Sequence, residues 1–377
     1  MKNIAIFCDG TWNAEDSTHR TNVALLSGAL KREGTVPQVP IYLPGVGTGK
    51  GATFLDRMVD KAGGGAFGWG LNGKIEQAYR ALADRYEAGD RIFVFGFSRG
   101  AYTARSLVGL IRNCGLPDAT TKARIPEAMR LYRDRTPGSH PDAPESLRFR
   151  AGFSPRYATS KVDAMTRVGP AVEVLAVDYL GVWDTVGALG VPDQFAGLAG
   201  LFNGKYKFHD LRLSSMVRQA RHAVAIDERR RTFLPTVWEN LTELNMGRGA
   251  VSPYLQEWFP GTHGGVGGGG AIVGLSHAAL LWVMEGAEAA GLEIAARFKA
   301  EVAGKVDIAA PLDNHPGEKG FFTKMLERNA IDRPPPSGLA AVSDPAHRRW
   351  RDHGYRPVPL RPFGPLMQPP VLPQEWG

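Results

Sequence analysis

The chain has 377 residues, of which 43% are hydrophobic and 22% charged, with a formal net charge of +7 at pH 7. This balance fits a folded protein with a sizeable core and excludes a disordered or collagen-like chain. There is no run of 18 or more apolar residues to cross a membrane, and two cysteines are too few for a disulfide framework or a cysteine metal site.

Residues 3–8 (Asn-Ile-Ala-Ile-Phe-Cys) read as a buried strand ending at Asp9-Gly10-Thr11-Trp12-Asn13. The chain enters this strand at once, without the cleavage pattern of a signal peptide, so a cytoplasmic location is the expectation. A second strand is predicted at 39–43 and a helix near 71–86. Arg91-Ile-Phe-Val-Phe is a short β-favouring run bounded by Gly89-Asp90, and 101–112 carries apolar residues at helical spacing. Farther on, 172–183 reads as a long apolar strand, 212–224 as a helix, 232–238 and 255–259 as strands, and 272–285 as a helix. Strands alternating with helices imply an α/β fold with a mostly parallel sheet and helices on both faces. The segment 121–165, with Pro126, Pro137, Pro141, Pro144 and Pro155, breaks this rhythm and reads as a polar, lid-like insertion above the nucleophile in a catalytic domain of 1–330. Residues 331–377, where prolines cluster, read as an extension packed on that domain.

The positive charge is uneven. Between Thr121 and Pro170 stand ten Lys/Arg against five Asp/Glu. No helix-turn-helix, zinc finger or RNA-binding aromatic signature accompanies them, so no nucleic-acid partner is expected. A solvated face is the plain reading, and attraction to an anionic substrate or a peripheral membrane contact is the sharper one.

Between the 91–96 strand and the following helix lies Gly96-Phe-Ser-Arg-Gly-Ala-Tyr-Thr, a G-x-S-x-G motif on Gly96, Ser98 and Gly100. A serine on so sharp a strand-to-helix turn is held in a strained backbone conformation, and a Cβ at either glycine would clash with its neighbours. Ser98 is therefore the candidate nucleophile. Such a serine needs a base, and the base needs an acid to orient it. Asp184 directly follows the 172–183 strand and is the candidate acid, with Asp227, read at a helix end, as its rival. His263, in Phe259-Pro-Gly-Thr-His-Gly-Gly-Val-Gly, follows a short strand between glycines and is the candidate base ahead of His277 and His222. The oxyanion donors expected are the amides of Arg99 and of Gly10 or Thr11, with Asp9 orienting that first loop.

Two other signals carry no weight. Pro44-Gly-Val-Gly-Thr-Gly-Lys-Gly51 lacks the first glycine and the final Ser or Thr of a phosphate loop. The glycine run at 264–270 follows a short late strand and is not a dinucleotide fingerprint. No cofactor and no metal is called for.

The segments Cys8–Asn13, Gly96–Arg105, Gly181–Gly190, His222–Trp238 and Trp258–Gly267 together resemble an α/β-hydrolase domain of bacteria and fungi whose relatives include type VI secretion phospholipase effectors. The resemblance runs in order from residue 3 to about 285. It implies Ser98 as nucleophile, Asp184 and His263 as its partners, and hydrolysis of esters, plausibly phospholipid acyl chains. A cofactor-independent serine esterase or lipase acting on an ester or lipid substrate is the leading expectation. The alternatives are an amidase or acyltransferase with the same triad, a non-catalytic binding module on this fold, and a metal-dependent phosphoesterase using Asp9, Asp184 and His263.

Overall fold

The computed structural model describes residues 1–10, 13, 15–46, 64–134, 136–169, 171–187, 211–248, 252–314 and 330–367. Six strands form one sheet: β1 (Asn3–Cys8), β2 (Gln38–Leu43), β3 (Arg91–Phe97), β4 (Tyr179–Trp183), β5 (Ala220–Ala225) and β6 (Tyr254–Phe259). They lie in the spatial order β2-β1-β3-β4-β5-β6, and every pair is parallel. This is the α/β architecture predicted from the sequence. The chain winds outward from β1 to β2, then returns across β1 and proceeds the other way. The switch point falls between β1 and β3, where open parallel sheets place their binding crevice beyond the carboxyl ends of the strands.

Alternation along the strands explains the two faces. Ile4, Ile6, Ile92, Val94, Leu180 and Val182 point to one side, against helices α2 (Gly64–Ala83) and α3 (Arg99–Cys114). Ala5, Phe7, Phe93, Phe95, Tyr179 and Trp183 point to the other, against α1 (Asn22–Ser27) and, far along the chain, the helix Gly274–Ala289. Side chains at a period of two, apolar on both faces, are what a strand covered on both sides requires.

Three expectations need correction. Residues 212–224 are not a helix: β5 occupies Ala220–Ala225, and Val177 bridges Val217 in parallel. The segment mimics helical spacing because Leu213, Met216, Val217 and Ala220 are all buried, although the stretch before β5 is irregular. The predicted strand at 232–238 is a short 3-10 turn, Arg231–Phe233, followed by a lone bridge between Pro235 and Val186. The predicted strand 172–183 is split, with Glu173–Val174 pairing Tyr157–Ala158 in a separate two-stranded sheet.

The insertion makes its described contacts along α3. Its helices α4 (Ile125–Arg133) and α5 (Pro144–Phe153) pack on the C-terminal half of α3, with Tyr132 against Gly109 and Cys114 Sγ at 3.5 Å from the Ala128 carbonyl. Arg150, fully buried, donates to Asn113 O at 2.6 Å and pairs with Asp163 at 2.7 Å. It satisfies a carbonyl that the end of α3 leaves open. At 1.5 Å per residue, that end lies about 22 Å along the helix from Ser98. The insertion leaves α3 at its far end and buries its own apolar face there.

The C-terminal segment does more than trail over the surface. Val342, Ala346, Trp350, Tyr355, Leu360 and Met367 form a third buried cluster with Val224, Ile226 and Trp258 of the sheet. It includes the helix Asp344–Asp352, capped by Ser343, whose hydroxyl accepts from the Ala346 amide. Val342 bridges Trp258, and the Ser343 amide donates to the Trp258 carbonyl at 3.1 Å. The last strand is thus shielded from pairing with another chain.

Candidate active site

Ser98 closes the turn between β3 and α3 with φ 59° and ψ −125°, one of two non-glycine residues with positive φ among the described residues. The flanking glycines are required. A Cβ on Gly96 would lie 2.5 Å from the Gly100 carbonyl, and one on Gly100 would lie 2.1 Å from the Cys8 carbonyl and 2.5 Å from that of Asp9. The absent side chains let α3 start directly against β1. Arg99 opens that helix, so the positive end of its dipole faces Ser98.

Asp184 is the other strained residue, φ 38°, at the end of β4. It is completely buried. Its amide donates to Ala223 O at 2.7 Å, and its Oδ1 accepts from the Ala225 amide at 2.9 Å. Its Oδ2 meets His263 Nδ1 at 2.5 Å. His263 begins the short helix His263–Gly267 just after β6, behind Gly261 at φ 117°. Its amide donates to Glu228 Oε2 at 3.2 Å. The ring sits against Phe97, with centroids 4.6 Å apart, and takes Phe233 edge-on at 4.8 Å. Phe97 directly precedes Ser98, so the imidazole lies beside the serine turn. Among the described residues no hydrogen bond joins Ser98 Oγ to that ring; such bonds commonly tighten only with substrate in place.

Burial alone would raise the Asp184 carboxyl, but the Arg333 guanidinium and the His263 hydrogen bond reverse this and hold it well below the usual carboxylate range. Burial pushes His263 below its ordinary value, opposed by Asp184 and Glu228. The pair therefore stands as a carboxylate and a neutral imidazole at neutral pH, with Nδ1–H directed at Asp184 and Nε2 left to accept.

The first loop behaves differently from the expectation of an open oxyanion donor. Gly10 N–H donates to Asp9 Oδ1 at 2.6 Å. Asp9 also accepts from Thr21 Oγ1 at 2.8 Å and from Tyr42 OH at 2.5 Å. Asp9 therefore stays apart from the Asp184–His263 pair and organises its own loop. Thr11 lies outside the described residues. Asp227, placed at the end of β5 and not at a helix end, accepts from Gly261 N at 2.7 Å and Tyr355 OH at 2.6 Å. His222 lies within β5, with Nε2 accepting from Thr185 N at 3.2 Å and Nδ1 facing Gln256 Oε1 at 3.0 Å. Burial and the nearby Arg105 push it down to about 3, so it serves as a neutral brace under the Asp184 turn. Among the described residues no group of His, Cys, Asp and Glu side chains is placed to hold a metal ion, and no helix is long and apolar enough to cross a membrane.

With this geometry in hand, a family model described as the type VI secretion system (T6SS) phospholipase effector Tle1-like catalytic domain matches residues 2–286. The chain belongs to this family. An uncharacterised protein of Saccharomyces cerevisiae is 27% identical over 244 residues, covering 62% of this chain and 32% of its own length. A solved but uncharacterised protein of Pseudomonas aeruginosa aligns at a TM-score of 0.43 and 16% identity, over 82% of this chain and 49% of that one. The Tle1 effector, solved bound to the VgrG spike of the type 6 secretion system, aligns at 0.34 and 21% identity, over 72% of this chain and 52% of its own. The chain thus spans about a third of the yeast relative and about half of each solved chain. The family read from five sequence segments is the family the match gives.

Arg333 and Glu228 had gone unread in the sequence. Arg333 Nη1 and Nη2 contact Asp184 Oδ1 and Oδ2 at 2.5 and 2.9 Å. Glu228 has a local signal, since it follows the strand that ends beside Asp184 and pairs with Arg230 two residues on, at 2.7 Å. Arg333 has none, because it lies 149 residues from Asp184.

Proposed function

We propose that this protein is a serine hydrolase of carboxylic esters, acting on lipid or phospholipid acyl esters through Ser98, His263 and Asp184. The observation that carries the reading is the buried Asp184–His263 pair at 2.5 Å, set beside a strained serine on the neighbouring strand end. Neutral His263 Nε2 takes the Ser98 proton as Oγ attacks the acyl carbonyl, and Asp184 steadies the imidazolium that forms. The tetrahedral oxyanion is received by the Arg99 amide at the helix start, one such donor contributing about 3 kcal/mol. Gly10, whose amide is turned to Asp9, becomes a second donor only by sharing that bond. His263 then protonates the leaving alcohol, and the acyl-enzyme is released by water through the same base.

Membership of a phospholipase effector family supports lipid as the substrate class, and is the ground for proposing type VI delivery. Incubation with a fluorophosphonate probe, followed by peptide mapping, tests the chemistry. Modification at Ser98 that is lost in Ser98→Ala, together with ester turnover lost in the same variant, is the expected result. An unlabelled but folded wild-type chain would point to a binding module. Comparing p-nitrophenyl esters of graded length with phospholipid vesicles, and with amide analogues, then fixes the substrate class.

A further inference from the structure

We infer that Arg333 is a positioning residue for the candidate triad, a clamp that sets the plane and charge of Asp184 from outside the segment the family model matches. The inference rests on the serine-hydrolase reading above. Both guanidinium nitrogens reach the carboxylate, Nη1 to Oδ1 at 2.5 Å and Nη2 to Oδ2 at 2.9 Å. The same nitrogens donate to Ala225 O at 2.7 Å and Phe233 O at 2.6 Å. The guanidinium is thus fixed to the end of β5 and to the turn that presses Phe233 on the His263 ring. The residue is 3% exposed and Asp184 is fully buried, so water does not compete for the pair.

The strap that carries the arginine is itself tied down. Ile331 N donates to Arg229 O at 2.9 Å, and Asp332 pairs with Arg229 at 2.9 Å. A fork of this kind matches a carboxylate in two places, which a lysine cannot do. Asp184 Oδ2 is shared between Arg333 Nη2 and His263 Nδ1, so the direction in which the imidazole receives its hydrogen bond depends on where the guanidinium holds that oxygen. Removing the fork leaves the carboxylate held only by the Ala225 amide and His263 and concentrates its negative charge on His263. The proton on the pair is then held more tightly. The other charged or titratable groups facing the pair stay in place: Glu228 at the His263 amide, Arg230 behind Phe233, and His222 beneath the Thr185 amide.

The test compares the wild-type chain with Arg333→Met and Arg333→Lys, using a p-nitrophenyl ester and fluorophosphonate labelling across the pH range. The expected result for Arg333→Met is a kcat loss on the order of 100-fold, short of the ~10⁴ that a wrong imidazole tautomer costs, with KM little changed. Its acidic limb should move up by about one pH unit, the scale on which a neighbouring charge acts. Arg333→Lys keeps the charge but not the fork, so its limb should stay near that of the wild type while kcat remains depressed. Wild-type kcat and limb in either folded variant would overturn the inference. If Arg333→Met does not fold, Arg333→Lys alone decides, because an undiminished kcat there shows the fork to be dispensable. A wild type that neither labels at Ser98 nor turns over esters refutes the parent reading instead, a result distinct from all of these.

Discussion

Replacing Asp184 by asparagine probes the buried pair most directly, because the structure says which way the new amide must lie. The carboxylate faces four donors: Ala225 N and Arg333 Nη1 on Oδ1, and Arg333 Nη2 and His263 Nδ1 on Oδ2. An NH₂ in place of Oδ1 meets two donors that cannot change. An NH₂ in place of Oδ2 meets Arg333 Nη2 and a histidine that can move its proton to Nε2. The second orientation is the less costly, and it puts the proton on the nitrogen that must accept from Ser98. The expected loss is about 10⁴ in kcat, equivalent to about 5.5 kcal/mol of barrier. The Arg333 charge is left uncompensated in a dry site, which costs about 3–5 kcal/mol of stability. With an unfolding entropy of about 2.1 cal/mol/K per residue over 377 residues, the melting temperature falls by about 4–6 °C. Ester turnover and a thermal melt read both numbers. Activity within tenfold of wild type at an unchanged melting temperature would refute the argument and move the acid role elsewhere.

Three further outcomes follow from the same geometry. Gly100→Ala drives a Cβ into the Cys8 and Asp9 carbonyls and should cost about 3 kcal/mol or more along with Ser98 labelling, whereas Gly73→Ala in α2, with nothing within 4 Å of its added carbon, should stabilise by about 0.5–1 kcal/mol; equal melts for the two would undo the elbow argument. His263 must be neutral to act, and burial holds it below its ordinary 6.5, so kcat/KM should rise with pH through a midpoint under that value; a midpoint above it would mean that the Asp184 charge outweighs burial. Arg130 and Arg133 lie on α4, whose Tyr132 meets α3 at Gly109, about 16 Å of helix from Ser98 against a screening length of about 8 Å, so replacing both by glutamine should leave the salt dependence of ester turnover unchanged.

What was legible in the sequence was what the chain encodes locally. Gly96, Ser98 and Gly100 stand within five residues between a strand and a helix, and the reason for each glycine is a backbone atom nearby. The placement of Asp184 and His263 was also readable, since Asp184 directly follows β4 and His263 stands four residues after the end of β6, on the same edge of the sheet. The misreadings arose where burial is not periodic. Leu213, Met216, Val217 and Ala220 face the core from an irregular segment and imitate a helix stripe. Chain order alone suggests an insertion over the serine, and it does not encode the contacts that Arg150 and the apolar face of α4 make with the second half of α3. Arg333 sits next to a run of three prolines, where nothing short-range distinguishes it from a solvated charge.

The spans of these contacts also fix when, during synthesis, the site can exist. The glycines that shape the Ser98 turn are crowded by backbone atoms that all lie within residues 3–114. The imidazole arrives 79 residues after its carboxylate, the guanidinium 149 residues after it, and Tyr355 bonds Asp227 across 128 residues. Because chains emerge N-terminus first, Ser98 is made well before the imidazole and the guanidinium that would complete the candidate site. Chain order alone thus sets the sequence in which the candidate site can be completed, with Arg333 as its last part.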